Sequence, residues 1–243
     1  MKNLRKFLFP KVSLLVFLAG MKASLFSLAI DYDHPEIYKL DGDQTRIENQ
    51  AMIEEIKNQF PTFENSTSQL KKVRRWIKCT FVHENNHGDT IGKLTVDQLY
   101  QSKVWHGCHD IAHIFAATVR SIGYPCILVE ATSIAWSKTY AKDPSSAGDS
   151  QGHNYAEVFV NHKWILFDPM SPAYLVDYDP YNPVIPSIFD TQKKELFYKD
   201  EPDGFYVMVK GKDCWDYGIR SVSDLFLLQK NIAYLHFQSL SQK

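Results

Sequence analysis

The stretch WHGCHDIAHIFAATVRSIGYPC, residues 105–126, places a cysteine directly before a long helical pattern. Apolar side chains from Ile111 to Val119 follow at the spacing of a buried helix. Gly123 suits the C-terminal cap of that helix, and Pro125 marks its end. The N-terminus of a helix carries partial positive charge, which favours the thiolate form of a cysteine. The stretch therefore predicts a reactive thiol, Cys108, at the start of a buried helix.

The segment GHNYAEVFVNHKWILFDPM, residues 152–170, predicts two antiparallel strands joined by a two-residue turn at Asn161 and His162. In that register Asp168 lies opposite Tyr155, two residues along the strand from His153. His153 and Asp168 then project from the same face as diagonal neighbours, with Cβ atoms roughly 7–8 Å apart. A shift of one residue would place them on opposite faces. The pattern therefore predicts that an imidazole and a carboxylate meet on this hairpin.

Helical patterns dominate the first half of the chain and strand patterns the second, which indicates the α+β class rather than alternating parallel units. Helices are predicted over residues 46–60, after Ser66 or Thr67, over residues 94–100, and from Ser221 or Ser223 towards Phe237. Strands are predicted from Cys126 to Val129, on the hairpin above, and from Phe205 to Val209. No linker divides the chain after residue 31, so we expect one domain over residues 30–243. Its core would cover about residues 66–170, with a C-terminal extension over residues 171–243.

Three motifs, in this order and spacing, resemble those of the transglutaminase-like superfamily, whose core is a papain-like cysteine-protease fold. They are GCHDIAHIFAATVRSIGYPC (107–126), GHNYAEVFV (152–160) and WILFDP (164–169). The resemblance implies a nucleophile at a helix N-terminus packed on an antiparallel sheet. It implies that Cys108 is the nucleophile, that His153 is the general base and acid, and that Asp168 orients His153. It also implies attack on an amide carbonyl and a thioester that is released to water or to an amine.

The surroundings of Cys108 contain further candidates. Gly107 has no side chain, which would let a substrate carbonyl approach the backbone, where the amide of Cys108 could serve as an oxyanion donor. The side chain that assists the oxyanion in the family has no clear counterpart here, and Trp105 and Asn86 are the candidates. Tyr155 shares the strand face of His153 and is expected to line the substrate cleft or to pack beside it.

We therefore expect an enzyme without a cofactor that hydrolyses amide bonds in peptides or proteins. Amine transfer by a protein-glutamine transglutaminase is one alternative, and a peptide- or glycan-binding module of the same fold is another. A zinc site at Cys108, His109 and His113 is a third, because the two histidines are four residues apart on one helix face. No glutamate follows the first of these histidines as it does in zinc proteases, which disfavours the zinc site.

The composition limits the remaining classes. The net charge of −1 over 243 residues, with no basic stripe, argues against a nucleic-acid partner. A basic N-terminus, an apolar run from Val12 to Met21 and small residues at Ser27 and Ala29 predict a signal peptide over residues 1–29. The protein is thus expected to be secreted or in the cell envelope, with an N-terminal membrane anchor as the rival. Four cysteines are too few for a disulfide scaffold, and Cys79 and Cys126 are expected to be buried.

Overall fold

The computed structural model describes residues 30–85, 88–186, 189–190, 195–196, 201 and 203–238. The predicted signal peptide, residues 1–29, and the oxyanion candidate Asn86 lie outside these residues. Within the described part of the chain, no helix combines the length and the apolar character needed to span a bilayer.

Six α-helices are found in the described residues, and side-chain caps explain where most of them begin. Asn49, Ser66, Thr95, Ser133 and Ser221 each accept a hydrogen bond from a backbone N–H in the first turn of the following helix. The helices are α1 (Gln50–Gln59), α2 (Thr67–Thr80), α3 (Val96–Ser102), α4 (Cys108–Ser121), α5 (Ile134–Lys142) and α6 (Val222–Ile232). A 3₁₀ helix, Pro35–Lys39, precedes them, and a π-helical turn, Ala233–Phe237, follows α6.

The strands form one antiparallel sheet of six and two small pairs. The strands are β1 (Val82–His83), β2 (Val104–Trp105), β3 (Cys126–Ser133), β4 (Gly152–Val160), β5 (Lys163–Phe167), β6 (Tyr174–Leu175), β7 (Val184–Ile185), β8 (Phe189–Asp190), β9 (Glu195–Leu196) and β10 (Phe205–Gly211). The order in the main sheet is β6-β5-β4-β3-β10-β7. The helices and the antiparallel sheet confirm the α+β class, and residues 171–243 contribute β6, β7 and β10 to the sheet.

Helix α4 is the centre of the main hydrophobic core. From His109 to Arg120 every residue of this helix is buried. Its apolar side chains contact α2 and α3 on one side and the sheet on the other, where Phe115 stacks on Phe167 with ring centroids 4.9 Å apart. Gly123 ends the helix with a φ of +106°, a conformation that glycine adopts without strain. The first residue of α4 is therefore held by a helix that is fixed on all sides.

The hairpin of β4 and β5 has the predicted register. Val160 pairs with Lys163, and Ala156 pairs with Phe167. Asn161 and His162 form the turn with φ values of +49° and +65°, the left-handed conformation that a two-residue hairpin turn requires. This turn fixes which side chains of the two strands share a face.

Several local predictions differ from the structure. Helix α1 begins at Gln50 rather than at residue 46, because the carboxylate of Asp97 accepts hydrogen bonds from the backbone of Glu48 and Asn49. Helix α5 was not predicted from the sequence. Cys79 is exposed and Cys126 is buried, so the expectation of burial is wrong for Cys79. All four cysteines are free thiols.

Candidate active site

Cys108 is the first residue of α4 and is partly buried, with Gly107 as the N-cap. Asp110, in the first turn, accepts a hydrogen bond from the backbone N–H of His106 at 2.9 Å and a second from the hydroxyl of Thr90. The acidic side chain thus ties the loop before the helix to the helix N-terminus, where negative charge is stabilised. The backbone around the sulfur is thereby fixed by interactions within the helix and its approach.

His153 and Asp168 form an ion pair in the interior. His153 Nε2 lies 3.0 Å from Asp168 Oδ1, and both side chains are buried. The carboxylate of Asp168 also accepts hydrogen bonds from the backbone N–H of Met170, 2.8 Å, and from the hydroxyl of Ser171, 2.7 Å. The edge of the Tyr155 ring packs against the imidazole with centroids 4.5 Å apart. The imidazole is therefore fixed both by a hydrogen bond and by packing.

The electrostatics of the three side chains favour a thiolate. Burial by itself would raise the pKa of the Cys108 thiol, but the charges of His109 and His153, and hydrogen bonds to them, lower it to about 6. Burial would lower the pKa of His153, but Asp168 and the Cys108 sulfur raise it to about 10. Burial likewise opposes ionisation of Asp168, and His153 nevertheless holds the pKa of that carboxyl below its usual value. Thiolate and imidazolium therefore coexist at neutral pH.

A cavity of about 190 Å³ opens beside the sulfur. Its wall includes the N-terminal turn of α4, residues 88–91, the start of β4 and one face of α6. Gly107 and Cys108 form part of this wall. A Cβ atom built on Gly107 would meet nothing within 4 Å, so the space in front of that backbone is open to a ligand. The role of Gly107 toward a substrate stays a prediction, for which the open space at this backbone is available.

Two other predicted site residues are placed elsewhere. Tyr155 is fully buried, with its ring packed against those of His153 and Phe205, so the prediction that it lines the substrate cleft is wrong and the packing alternative holds. Trp105 is buried in β2, with its ring 4.2 Å from that of His83 and with Lys78 Nζ 3.8 Å from its ring centroid. It is not among the described residues that line the cavity.

The structure adds two residues to the site that the sequence did not identify as a pair. His109 Nδ1 lies 3.5 Å from the Cys108 sulfur, and His109 Nε2 lies 2.7 Å from Glu130 Oε2. Both residues are buried, and both line the cavity. The sequence feature that could have indicated this pair is Glu130, the single acidic residue in the apolar strand CILVEATS. A buried carboxylate needs a hydrogen-bonding or cationic partner.

The zinc alternative at Cys108, His109 and His113 does not match the geometry. His113 Nδ1 bonds to the carbonyl of His109, and His113 Nε2 accepts the backbone N–H of Cys214, so both of its ring nitrogens are used by the backbone. The donor atoms close enough to share an ion are instead on His109, Glu130 and Cys214, within 4.8 Å of one another. His109 and Glu130 are already bonded to each other, and burial raises the pKa of the Cys214 thiol to about 12. Glu130 Oε2 is thus engaged by His109 and by Asn154, whereas Glu130 Oε1 is buried without a hydrogen-bond partner among the described residues.

Part of the chain is similar to a known protein family and to a solved structure. The family model of the transglutaminase-like superfamily matches residues 54–169. A solved structure from Cytophaga hutchinsonii, described as a "Putative Cysteine Protease", is similar with a TM-score of 0.49 and 14% identity over 81% of this chain and 53% of that one. The present chain thus spans about half the length of that protein. No curated protein sequence matches the chain. Residues 54–169, with a cysteine at the N-terminus of a buried helix that packs on an antiparallel sheet, are thus similar to the transglutaminase-like superfamily.

Proposed function

We propose that this protein is a thiol-dependent hydrolase that cleaves amide bonds in peptides or proteins through Cys108, His153 and Asp168. The observation that carries the proposal is the contact of one sulfur, at a helix N-terminus, with an imidazole that a buried carboxylate orients. Nucleophile, base and orienting group in this arrangement are the elements of thiol acyl-transfer catalysis. The lowered pKa of Cys108 and the raised pKa of His153 support a thiolate–imidazolium pair at neutral pH.

In the acylation step the Cys108 thiolate attacks the carbonyl carbon of the amide, and the backbone N–H of Cys108 is a donor for the developing oxyanion. Asp168 engages His153 Nε2, which leaves Nδ1 of the same ring to face the sulfur. The imidazolium gives its proton to the leaving nitrogen as the carbon–nitrogen bond breaks. The products of this step are a free amine, a thioester on Cys108 and a neutral imidazole.

In the deacylation step His153 takes a proton from water, whose oxygen attacks the thioester carbon. The carbon–sulfur bond then breaks, which releases a carboxylic acid and regenerates the thiolate and the imidazolium. Water is the default acceptor, and an amine in its place would give the transglutaminase reaction. The same site without turnover would serve as a peptide- or glycan-binding module.

A thioester-trapping experiment tests the proposal. The purified protein is incubated with a peptide library that includes Gln- and Asn-containing members, with and without a labelled primary amine, and the products are identified by mass spectrometry. Hydrolysis predicts cleaved or deamidated peptides and an acyl adduct on Cys108 that is absent from Cys108→Ala. Products that carry the amine label would replace hydrolysis by amine transfer. Peptide binding without any adduct or product would contradict catalysis and favour the binding module.

A further inference from the structure

The sulfur of Cys108 contacts two imidazoles, and each imidazole is bonded to its own buried carboxylate. We propose that His109 and Glu130 form a second imidazole–carboxylate pair that keeps Cys108 ionised independently of His153 and Asp168. The inference rests on the proposed function only in that it takes the thiolate to be the nucleophile. His109 is a catalytic residue on this view because it contacts the reacting sulfur, and Glu130 is a positioning residue that acts through His109.

The geometry uses both nitrogens of the His109 ring. Nδ1 lies 3.5 Å from the Cys108 sulfur, and Nε2 lies 2.7 Å from Glu130 Oε2. Asn154 donates a hydrogen bond of 3.0 Å to the same carboxylate oxygen, which fixes the side chain of Glu130. When the proton of the thiol passes to Nδ1, the ring becomes an imidazolium that donates one N–H to the thiolate and the other to Glu130. Proton and charge are conserved in this transfer, and no further reactant is needed.

Contacts within the pair and with Cys108 offset the cost of burying its charges. The side chain of Glu130 is fully buried in β3, and a buried carboxylate is costly unless a cation and hydrogen bonds compensate it. Burial also disfavours the imidazolium form of His109, but Glu130 and the thiolate of Cys108 raise its pKa well above the usual value. The cationic ring thus satisfies both negative groups at once.

Three other ionisable groups near His109 are neutral. His113, one turn further along α4, has its pKa lowered to about 4 by burial and by the charge of His109. Cys214, in the loop after β10, keeps its proton because burial raises its pKa to about 12. Tyr217, in the same loop, is also protonated, since burial raises its pKa. The carboxylate of Asp110 also lines the cavity, but its hydrogen bonds go to His106 and Thr90. Among the described residues, Cys108 and Glu130 are therefore the groups whose side chains bond to the His109 ring nitrogens.

The position of the pair relates it to the substrate. His109 and Glu130 lie in the wall of the cavity beside Cys108, whereas His153 and Asp168 are not among the described residues that line it. A group that enters the cavity therefore meets the positive charge of His109 next to the sulfur. The same charge favours departure of the thiolate when a thioester breaks down, because a thiol of low pKa is the better leaving group.

The test measures the ionisation of Cys108, not turnover. All variants carry Cys79→Ser, because Cys79 is exposed whereas Cys126 and Cys214 are buried. The rate of alkylation by iodoacetamide is followed against pH in this background and with Glu130→Gln, His109→Gln, His153→Ala and the double change Glu130→Gln/His153→Ala. The matched control is Cys214→Ala, which alters the same cluster without touching the sulfur.

The inference predicts three results. The midpoint of alkylation rises by about one pH unit or more, a tenfold loss of thiolate at low pH, in Glu130→Gln and in His109→Gln. In His153→Ala it stays below the value of about 8.5 of a free cysteine, and in the double variant it reaches that value. In Cys214→Ala it does not change. Circular dichroism and thermal unfolding establish that each variant is folded. If Glu130→Gln does not fold, the alkylation midpoint of His109→Gln tests the inference instead.

Three outcomes would overturn the inference. The first is an alkylation midpoint that is unchanged in both Glu130→Gln and His109→Gln. The second is a midpoint that reaches the free-cysteine value in His153→Ala alone. The third is stoichiometric zinc in the purified protein that both His109→Gln and Cys214→Ala remove, since the cluster would then be a metal site. The alkylation experiment uses no substrate. If the wild-type protein hydrolyses no peptide, the proposed function is contradicted, but the inference about the ionisation of Cys108 is not.

Discussion

His153 Nε2 and Asp168 Oδ1 are 3.0 Å apart although 15 positions separate the two residues in the chain, with His153 in β4 and Asp168 directly after β5. Their contact depends on the left-handed turn at Asn161 and His162, which sets the register of β4 and β5. The backbone N–H of Met170, in the segment directly after β5, also donates a hydrogen bond to this carboxylate, so Asp168 is held by the backbone as well as by His153. The chemistry proposed for Cys108 follows from this rigid pair.

The ionisation of Cys108 gives a direct prediction for pH. A thiol loses its proton as pH rises through its pKa, so a pKa lowered to about 6 makes the thiolate the major form at pH 7. We expect the alkylation rate of Cys108 in Cys79→Ser to rise with a midpoint near pH 6, against about 8.5 for free cysteine. Turnover should rise through the same pH and fall as His153 loses its proton near pH 10. A single alkylation midpoint at or above pH 8 would contradict this.

Replacement of Asp168 tests the orientation of His153. Asp168→Asn removes the charge that raises the pKa of His153 and permits the wrong ring tautomer. In the serine–histidine–aspartate triad the same change lowers kcat by about 10⁴-fold, and we expect a loss of roughly 10²–10⁴-fold here. Ser171→Ala, which removes one hydrogen bond to the same carboxylate, should cost far less. Equal activity of Asp168→Asn and the wild type would remove Asp168 from the mechanism.

Gly107 and Gly152 form a matched pair for separating substrate access from folding. A Cβ on Gly107 meets nothing within 4 Å, so Gly107→Ala should lower kcat/KM by filling the substrate side. It should cost at most about 1 kcal/mol of stability, because alanine is a poorer N-cap than glycine. A Cβ on Gly152 would lie 2.8 Å from the carbonyl oxygen of Ala131 and 2.7 Å from Gln229 Nε2. Gly152→Ala should therefore cost roughly 1–3 kcal/mol of stability through overpacking. Thermal unfolding and steady-state kinetics on both variants check the contrast.

A buried charge cluster away from the sulfur predicts a purely structural effect. Glu157 is fully buried and accepts hydrogen bonds from Lys210, Tyr32 and Tyr178. Glu157→Gln leaves the ammonium of Lys210 without its anionic partner, which should cost about 3–5 kcal/mol in the free energy of unfolding. The alkylation midpoint of Cys108 in the folded variant should stay where it is. Urea unfolding measures the change in the free energy of unfolding. A shift in the alkylation midpoint of Cys108 would show that the cluster around Glu157 is coupled to the site.

Much of the site was predictable because it depends on local patterns. The apolar spacing of residues 111–119 and the Gly-x-Pro exit define α4, and that places Cys108 at a helix N-terminus whatever packs around it. The alternation of β4 and β5 with their two-residue turn fixes a register, and the register alone puts His153 and Asp168 on one face.

Other features depend on contacts between distant segments. The alternation of side chains along β4 indicates that Tyr155 lies on the same face of the strand as His153. Only the packing of Phe205, from β10, shows that the Tyr155 ring is buried rather than in the cleft. Helix α1 starts late because Asp97, far along the chain, binds the backbone before it. A sequence pattern carries no information about which element covers a given face.

The sequence by itself determined a helix that begins at a cysteine and a hairpin that joins a histidine to an aspartate, because both depend on residues near one another in the chain. Only the tertiary structure decided that Glu130 meets His109, since this contact needs β3 to lie beneath the first turn of α4. It also decided that α6, near the end of the described chain, contributes Gln229 to the wall of the cavity. Such contacts arise from the packing of helices on the sheet, which the burial of apolar surface drives without regard to distance along the chain.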